Sequence, residues 1–109
     1  MQIWYPVADL DAARAFYRER LGFAEVHADE ADRWARLERG GVEIGLAEGA
    51  HEGGEEAVAA VVVEDVKAEA ERLRSNGVEV GVVLEIPGAV RILDVYDPDG
   101  NRVQLTQDI

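Results

Sequence analysis

This 109-residue sequence has 23 carboxylates but only two histidines and no cysteine among the side chains that most often carry out catalysis or bind metal ions. It contains no cysteine, which excludes disulfides, thiolate ligands and a thiol nucleophile. Of its two histidines, His27 ends a predicted strand and His51 lies in a stretch rich in glycine and acidic residues, so we expect both at the surface. No Ser-His-Asp set and no phosphate-binding glycine loop is present. The sequence by itself indicates no reaction.

The two tryptophans, Trp4 and Trp34, are the strongest candidates for contacting a ligand. An indole can stack on a planar ring or face a cation, an interaction worth roughly 0.5–2 kcal/mol. The alternative is that each tryptophan packs in the core or at a dimer interface.

The chain is strongly acidic, with 23 Asp and Glu against 11 Lys and Arg and a net charge of −12. Nucleic acid is therefore not an expected partner, because phosphate binding depends on basic residues. The charge either serves solubility or attracts a cationic small molecule. The longest apolar run, residues 57–63, is too short to span a bilayer, and no signal-peptide pattern opens the sequence. We expect a cytoplasmic protein without a membrane partner.

Two matching segments, 56 residues apart, show an internal repeat. VADL (residues 7–10) and VEDV (residues 63–66) each follow an apolar stretch and precede a helical pattern. Asp9 and Asp65 are suited to cap these helices, and Gly22 and Gly77 are suited to end them.

Three short strand candidates follow each helix: residues 23–28, 34–38 and 42–47, and then residues 80–86, 90–96 and 102–106. The segment DPDGN (residues 97–101) is typical of a hairpin turn. Residues 49–56 predict an exposed connector. We therefore predict one α+β domain over residues 1–109, made of two tandem βαβββ modules at about 1–48 and 57–109, with the helices on the outer face.

The segments VADLDAARAFY (residues 7–17) and LGF (residues 21–23) resemble the opening of a module of the vicinal oxygen chelate superfamily. This superfamily comprises glyoxalases, bleomycin-resistance proteins and extradiol dioxygenases. The segment DVYDPDGNRVQL (residues 94–105) resembles the end of such a module. The resemblance implies an eight-stranded, cup-shaped mixed sheet that holds a small molecule, and a symmetric homodimer.

The resemblance also implies where a metal ion would bind, because the superfamily takes its ligands from the first and last strands of each module. Carried onto this sequence, the four positions are Gln2, Gly45, Val58 and Gln104. Two of them lack a ligating side chain and two are neutral amides, whereas a divalent ion needs several histidine or carboxylate donors. We therefore expect no metal and no cofactor.

Glu43 is a weak candidate for a catalytic residue. It lies two residues from Gly45, so strand alternation would turn both to the same face. The alternative is a carboxylate at the rim or on the surface.

Alternation along the first and last strands predicts which residues line the cup. It turns Gln2, Trp4, Val58, Ala60, Arg102 and Gln104 inward, and Trp34 joins the expected lining because of its residue type. We predict a metal-free binding protein that sequesters a cationic or aromatic compound such as an antibiotic, in the manner of bleomycin-resistance proteins. The alternative is a metal-dependent lyase, isomerase or dioxygenase of the glyoxalase type, with a non-standard ligand set such as Gln2, Glu43 and Gln104.

Overall fold

A computed structural model describes residues 3–49 and 58–109. Within these residues the helices are α1 (Leu10–Glu19) and α2 (Val66–Ser75). The strands of the first module are β1 (Ile3–Val7), β2 (Ala24–Asp29), β3 (Trp34–Arg39) and β4 (Val42–Glu48). Those of the second are β5 (Ala59–Val62), β6 (Glu79–Val80), β7 (Leu84–Ile86), β8 (Val90–Tyr96) and β9 (Arg102–Asp108). The predicted positions Gln2 and His51, and all of the 49–56 connector except Gly49, lie outside the described residues.

Each module forms one mixed sheet. The first has the order β1-β4-β3-β2, and the second has the order β5-β9-β8-β6 with β7 also paired to β8. In both sheets the first strand of the module runs parallel to the last, and the remaining pairs are antiparallel. This arrangement confirms the predicted α+β class and the repeated order of strands and helix.

One predicted strand, residues 80–86, is divided into β6 and β7, so the described residues hold nine strands instead of the expected eight. The break falls after Gly81, whose N–H still donates to the carbonyl of Asp94 at 2.8 Å. The carbonyl of Gly81 accepts from the Arg74 guanidinium at 2.9 Å, and the chain leaves the ladder there. The Arg74 side chain of α2 thus donates to this carbonyl in place of a backbone N–H from a neighbouring strand.

The ends of both helices follow from local sequence. Asp9 and Asp65 each accept a backbone N–H from three residues further on, at 3.2 and 3.0 Å, which confirms both predicted caps. Gly22 and Gly77 follow the helices with φ values of 70° and 77°, a conformation that glycine adopts without steric cost. No helix in residues 3–49 or 58–109 combines the length and apolar composition needed to cross a membrane.

The core lies between the helices and one face of each sheet. Alternate strand residues point to this face, as the pleat of a strand requires. Its largest fully buried side chains are Tyr17, Leu10, Leu21, Leu37, Ile44, Leu46, Leu73, Leu93 and Leu105. The intervening residues lie on a face that neither α1 nor α2 covers: Trp4 is 44% exposed and Val62 is 63% exposed.

Two tyrosine hydroxyls join the modules across this core. The Tyr17 hydroxyl donates to Oδ2 of the buried Asp97 at 2.8 Å. The Tyr5 hydroxyl donates to the carbonyl of Arg102 at 2.7 Å and accepts the N–H of Ala59 at 2.9 Å. Burial raises the pKa of Tyr17, and the Asp97 carboxylate raises it further, so the phenol keeps its proton and remains a donor.

A second junction connects the helices. Glu69 accepts from Arg39 at 2.6 Å and from Arg72 at 2.5 Å. These guanidinium groups also donate to the carbonyls of Leu21 and Arg20, just beyond the end of α1. Burial alone would raise the pKa of Glu69, but the hydrogen bonds from the two arginines outweigh it and lower the pKa. The centre of this junction is therefore the Glu69 carboxylate, paired with the guanidinium groups of Arg39 and Arg72.

We expect Tyr17→Phe to lower the free energy of unfolding by about 1–3 kcal/mol, because the buried Asp97 carboxylate loses a hydrogen-bond donor. Urea denaturation followed by circular dichroism measures this change. Tyr96→Phe is a matched control, since Tyr96 is half-buried and its hydroxyl makes no hydrogen bond among the described residues; its loss should stay below about 0.5 kcal/mol. Equal losses in the two variants would show that the Tyr17 hydroxyl does not join the modules.

Candidate functional site

The candidate site is built on the uncovered face of the first sheet. The strand register places four residues side by side across it: Trp4 is paired with Gly45, Gly45 with Arg36, and Arg36 with His27. Gly45 and Arg36 lie between buried core residues along their strands, and Trp4 precedes the buried Tyr5. A row of aromatic and cationic side chains therefore crosses the sheet, interrupted by one glycine.

Trp4 lies directly over Gly45. A Cβ atom built on Gly45 would lie 2.3 Å from Cε3 and 2.4 Å from Cδ2 of the Trp4 ring. Only glycine therefore allows the indole this close to the strand. Gly45 is fully covered as a result.

Trp34 is the centre of the aromatic cluster. Its ring centroid lies 5.9 Å from that of Trp4 at an interplanar angle of 72°, and 5.0 Å from that of His27 at 42°. The Arg36 Cζ atom lies 5.9 Å from the same ring, which is within reach of a cation–π interaction. This cluster offers a planar ligand both ring surface and positive charge.

Sequence reasoning missed His27 and Arg36. A register shift between Glu25 and His27 inserts one residue into β2 opposite Leu37 and Arg36. Without that bulge, alternation would turn His27 toward the helix. The bulge, which local sequence did not indicate, brings His27 beside Trp34.

The uncovered face of the second sheet carries a polar row and an apolar row. In the polar row, Ala60 is paired with Gln104 and Gln104 with Asp94. The Gln104 amide donates to Oδ1 of Asp94 at 3.2 Å, and Arg102 Nη1 lies 3.7 Å from Oδ2. The apolar row runs Val62, Thr106, Ile92, Leu84.

The predicted lining residues thus fall on two faces. Trp4 and Trp34 lie together on the first sheet, and Ala60, Arg102 and Gln104 lie together on the second. Val58 is half-buried and lies just before β5. These positions agree with the predicted alternation, and their contact with a ligand stays a prediction.

Glu43 lies on the uncovered face of the first sheet, with Oε1 3.7 Å from Nη1 of Arg36. This separation is that of an ion pair between the two side chains. The expected role of Glu43 in catalysis therefore gains no support from this geometry.

The residues at the positions implied for metal ligands do not fit a divalent ion. Gly45 has no side chain and lies under the Trp4 ring, Val58 is aliphatic, and the Gln104 amide is bonded to Asp94. Residues 3–49 and 58–109 contain no group of three histidine or acidic side chains that could hold a metal ion. The guanidinium beside Glu43 also disfavours a second cation there.

A cavity of about 590 Å³ opens at the end of β5 and the start of α2. Its lining comprises Arg39, Val62, Val63, Glu64, Asp65, Ala68, Glu69 and Arg72. Both of its guanidinium groups are already paired with Glu69. This cleft is part of the junction between the modules, and it offers no cluster of ring surfaces like that around Trp34.

The sequence was compared with models of protein families and with curated protein sequences. A sequence model of the Glyoxalase/Bleomycin resistance protein/Dioxygenase superfamily matches residues 2–105. A search of curated protein sequences finds no match.

Solved structures with similar folds include binding proteins and enzymes. An integron cassette protein from the mobile metagenome of the Halifax Harbour sewage outfall is 25% identical, with a TM-score of 0.83 over 98% of this chain and 96% of the other. TnmS3, an antibiotic binding protein from a Streptomyces species, is 25% identical, with a TM-score of 0.78 over 99% and 93%. Lactoylglutathione lyase from Agrobacterium tumefaciens is 20% identical and shares the fold, with a TM-score of 0.79 over 98% and 91%.

We expect Gly45→Ala to displace the Trp4 indole, because the added Cβ would overlap the ring. The near-ultraviolet circular dichroism of the Trp4–Trp34 pair should weaken, and the free energy of unfolding should fall by about 1–3 kcal/mol. Gly81→Ala is the matched control, since its Cβ would lie at an ordinary 3.7 Å from Cβ of Asp94. An unchanged tryptophan spectrum in Gly45→Ala would contradict the close contact.

Proposed function

The chain belongs to the Glyoxalase/Bleomycin resistance protein/Dioxygenase superfamily, and from that premise we propose that it is a metal-free binding protein for aromatic small molecules such as antibiotics. The observation that carries this proposal is the Trp4 ring over Gly45, at a position where the superfamily is expected to place a metal ligand. An aromatic surface there supports stacking with a planar molecule, and neither glycine nor an indole ring supplies the oxygen, nitrogen or sulfur ligands that metal ions take from proteins.

The structure of the site supports binding more than catalysis. Trp34 is only half-buried, so its ring is available to a ligand while Trp4 and His27 hold it in place. The second sheet adds the amide of Gln104 and the guanidinium of Arg102, which can fix the orientation of a bound molecule. TnmS3, with a similar fold, is described as an antibiotic binding protein.

The alternative is a metal-dependent lyase, isomerase or dioxygenase. It requires ligands from a non-standard set such as Gln2, Glu43 and Gln104. Glu43 lies beside Arg36, and Gln104 lies on the other sheet and is bonded to Asp94. The geometry of the described residues therefore gives this alternative no positive support.

A symmetric homodimer is part of the proposal. Val62, Leu84 and Ile86 are each more than half exposed on the uncovered face of the second sheet. Exposed apolar side chains in such a group favour contact with a second copy of the chain. We also propose a cytoplasmic location, where a protein without cysteine loses no stabilising disulfide.

A thermal-shift screen tests the proposed function. The protein, treated with EDTA, is heated with a panel of planar aromatic antibiotics and with bleomycin. We expect at least one compound to raise the melting temperature and quench tryptophan fluorescence, with a Kd that zinc or nickel changes less than twofold.

Trp34→Leu should weaken this binding at least about tenfold, because stacking on the indole is lost. Val26→Ala, an exposed position on the neighbouring strand β2, serves as the control and should bind as wild type does. One equivalent of tightly held zinc or nickel per chain, required for binding, would contradict the metal-free proposal and favour the enzyme.

A further inference from the structure

Arg36 lies on the uncovered face of the first sheet, beside Trp34, and its guanidinium makes few interactions. Its strand neighbours across the sheet are Gly45 and His27. Its guanidinium lies 5.9 Å from the Trp34 ring and 3.7 Å from Glu43. Among the described residues it donates no hydrogen bond, and its Nε atom is buried without a partner.

Other arginines of the chain are held differently. Arg14 donates twice to Glu25, at 2.6 and 2.9 Å, and Arg33 donates twice to Glu48, at 3.2 and 2.8 Å. A guanidinium has five N–H donors, and buried donors in folded proteins nearly always find an acceptor. The buried Nε atom of Arg36 departs from this rule, and the guanidinium that carries it lies on the same face as the Trp34 ring.

The carboxylate of Glu43 balances the charge of Arg36 without using its donors. At 3.7 Å the two groups form an ion pair that is longer than a hydrogen bond. The Arg36 side chain is 39% exposed, so an acceptor on a ligand can reach the guanidinium. Planar, bidentate recognition of a carboxylate is the interaction that this group makes best.

The net charge of −12 favours a cation at long range, but the guanidinium donors beside Trp34 favour an anion at short range. Salt screens charges beyond about 10 Å at 0.1 M ionic strength. A molecule stacked on Trp34 lies within a few ångströms of Arg36 and His27. A positive group placed there meets a like charge, whereas a carboxylate meets unused donors.

We propose that Arg36 makes the site selective for planar aromatic carboxylates over aromatic cations of the same shape. The aromatic ring stacks on Trp34, and the carboxylate accepts from the Arg36 guanidinium. This inference rests on the proposed function, because it assigns the ligand class of the same site.

Two probes with one ring system and opposite charge, naphthoate and naphthylmethylammonium, test the inference on the full chain. Tryptophan quenching and titration calorimetry at 0.1 M salt give the two Kd values. We expect naphthoate to bind at least tenfold more tightly. Arg36→Gln should bring the two affinities within twofold, whereas Arg18→Gln, which removes the same charge from an exposed site on α1, should preserve the preference.

Glu43→Gln provides a second variant that does not depend on the folding of Arg36→Gln. When the Glu43 carboxylate is removed, the charge that faces both probes becomes more positive. Naphthoate should then bind several-fold more tightly, and the ammonium probe should bind more weakly. The opposite pair of shifts would overturn the inference.

The outcomes separate this inference from the proposed function. Binding of both probes with equal affinity, or with the cation preferred, overturns the role of Arg36 and leaves an aromatic binding site in place. Binding of neither probe at millimolar concentration contradicts the aromatic site itself, and the inference with it.

Discussion

The hydrogen bond from the Tyr17 hydroxyl to the buried Asp97 carboxylate fixes the two halves of this molecule to each other. Each module has one helix, which covers one face of its sheet and leaves the other face exposed. Asp97 also accepts from the backbone N–H groups of Asp99 and Asn101, and so holds the last turn of the second module against the first. These hydrogen bonds hold the buried Asp97 side chain in one position, so the turn that carries it is fixed relative to Tyr17 of the first module.

The uncovered faces have different chemical characters because of one small residue. Gly45 lets the Trp4 indole lie on the first sheet, where any Cβ would exclude it. The same position in a metal-binding relative is expected to supply a ligand. In this sequence the position has no side chain and is covered by an indole ring, as the proposed stacking site requires. The structures with a similar fold include one described as an antibiotic binding protein and one described as a lyase.

Much of the fold was predictable because its signals are local. The caps at Asp9 and Asp65 and the alternation of Trp4 with buried Tyr5 depend only on neighbouring residues. The division of β6 from β7 was not predictable, since it depends on an arginine of α2 reaching Gly81.

The candidate site was predicted only in part, because some of its contacts also join residues that are distant in the sequence. Trp4 and Trp34 were found by residue type, and their 5.9 Å contact agrees with a shared role. His27 was expected at the surface and is exposed, but a bulge in β2 sets it beside Trp34. The partners of Arg36 come from other strands, and the residues next to Arg36 in the sequence do not predict which strands pair or in which register.

The central claim is that an aromatic ligand binds at the two tryptophans without a metal ion. The chain contains only these two tryptophans, so its indole N–H groups give two assignable signals in a ¹H–¹⁵N correlation spectrum. The direct test is a titration of EDTA-treated, ¹⁵N-labelled protein with naphthoate. The account predicts that both indole signals shift in a saturable manner, with the larger shift at Trp34. Indole signals that stay in place, or that move only after zinc is added, would contradict it.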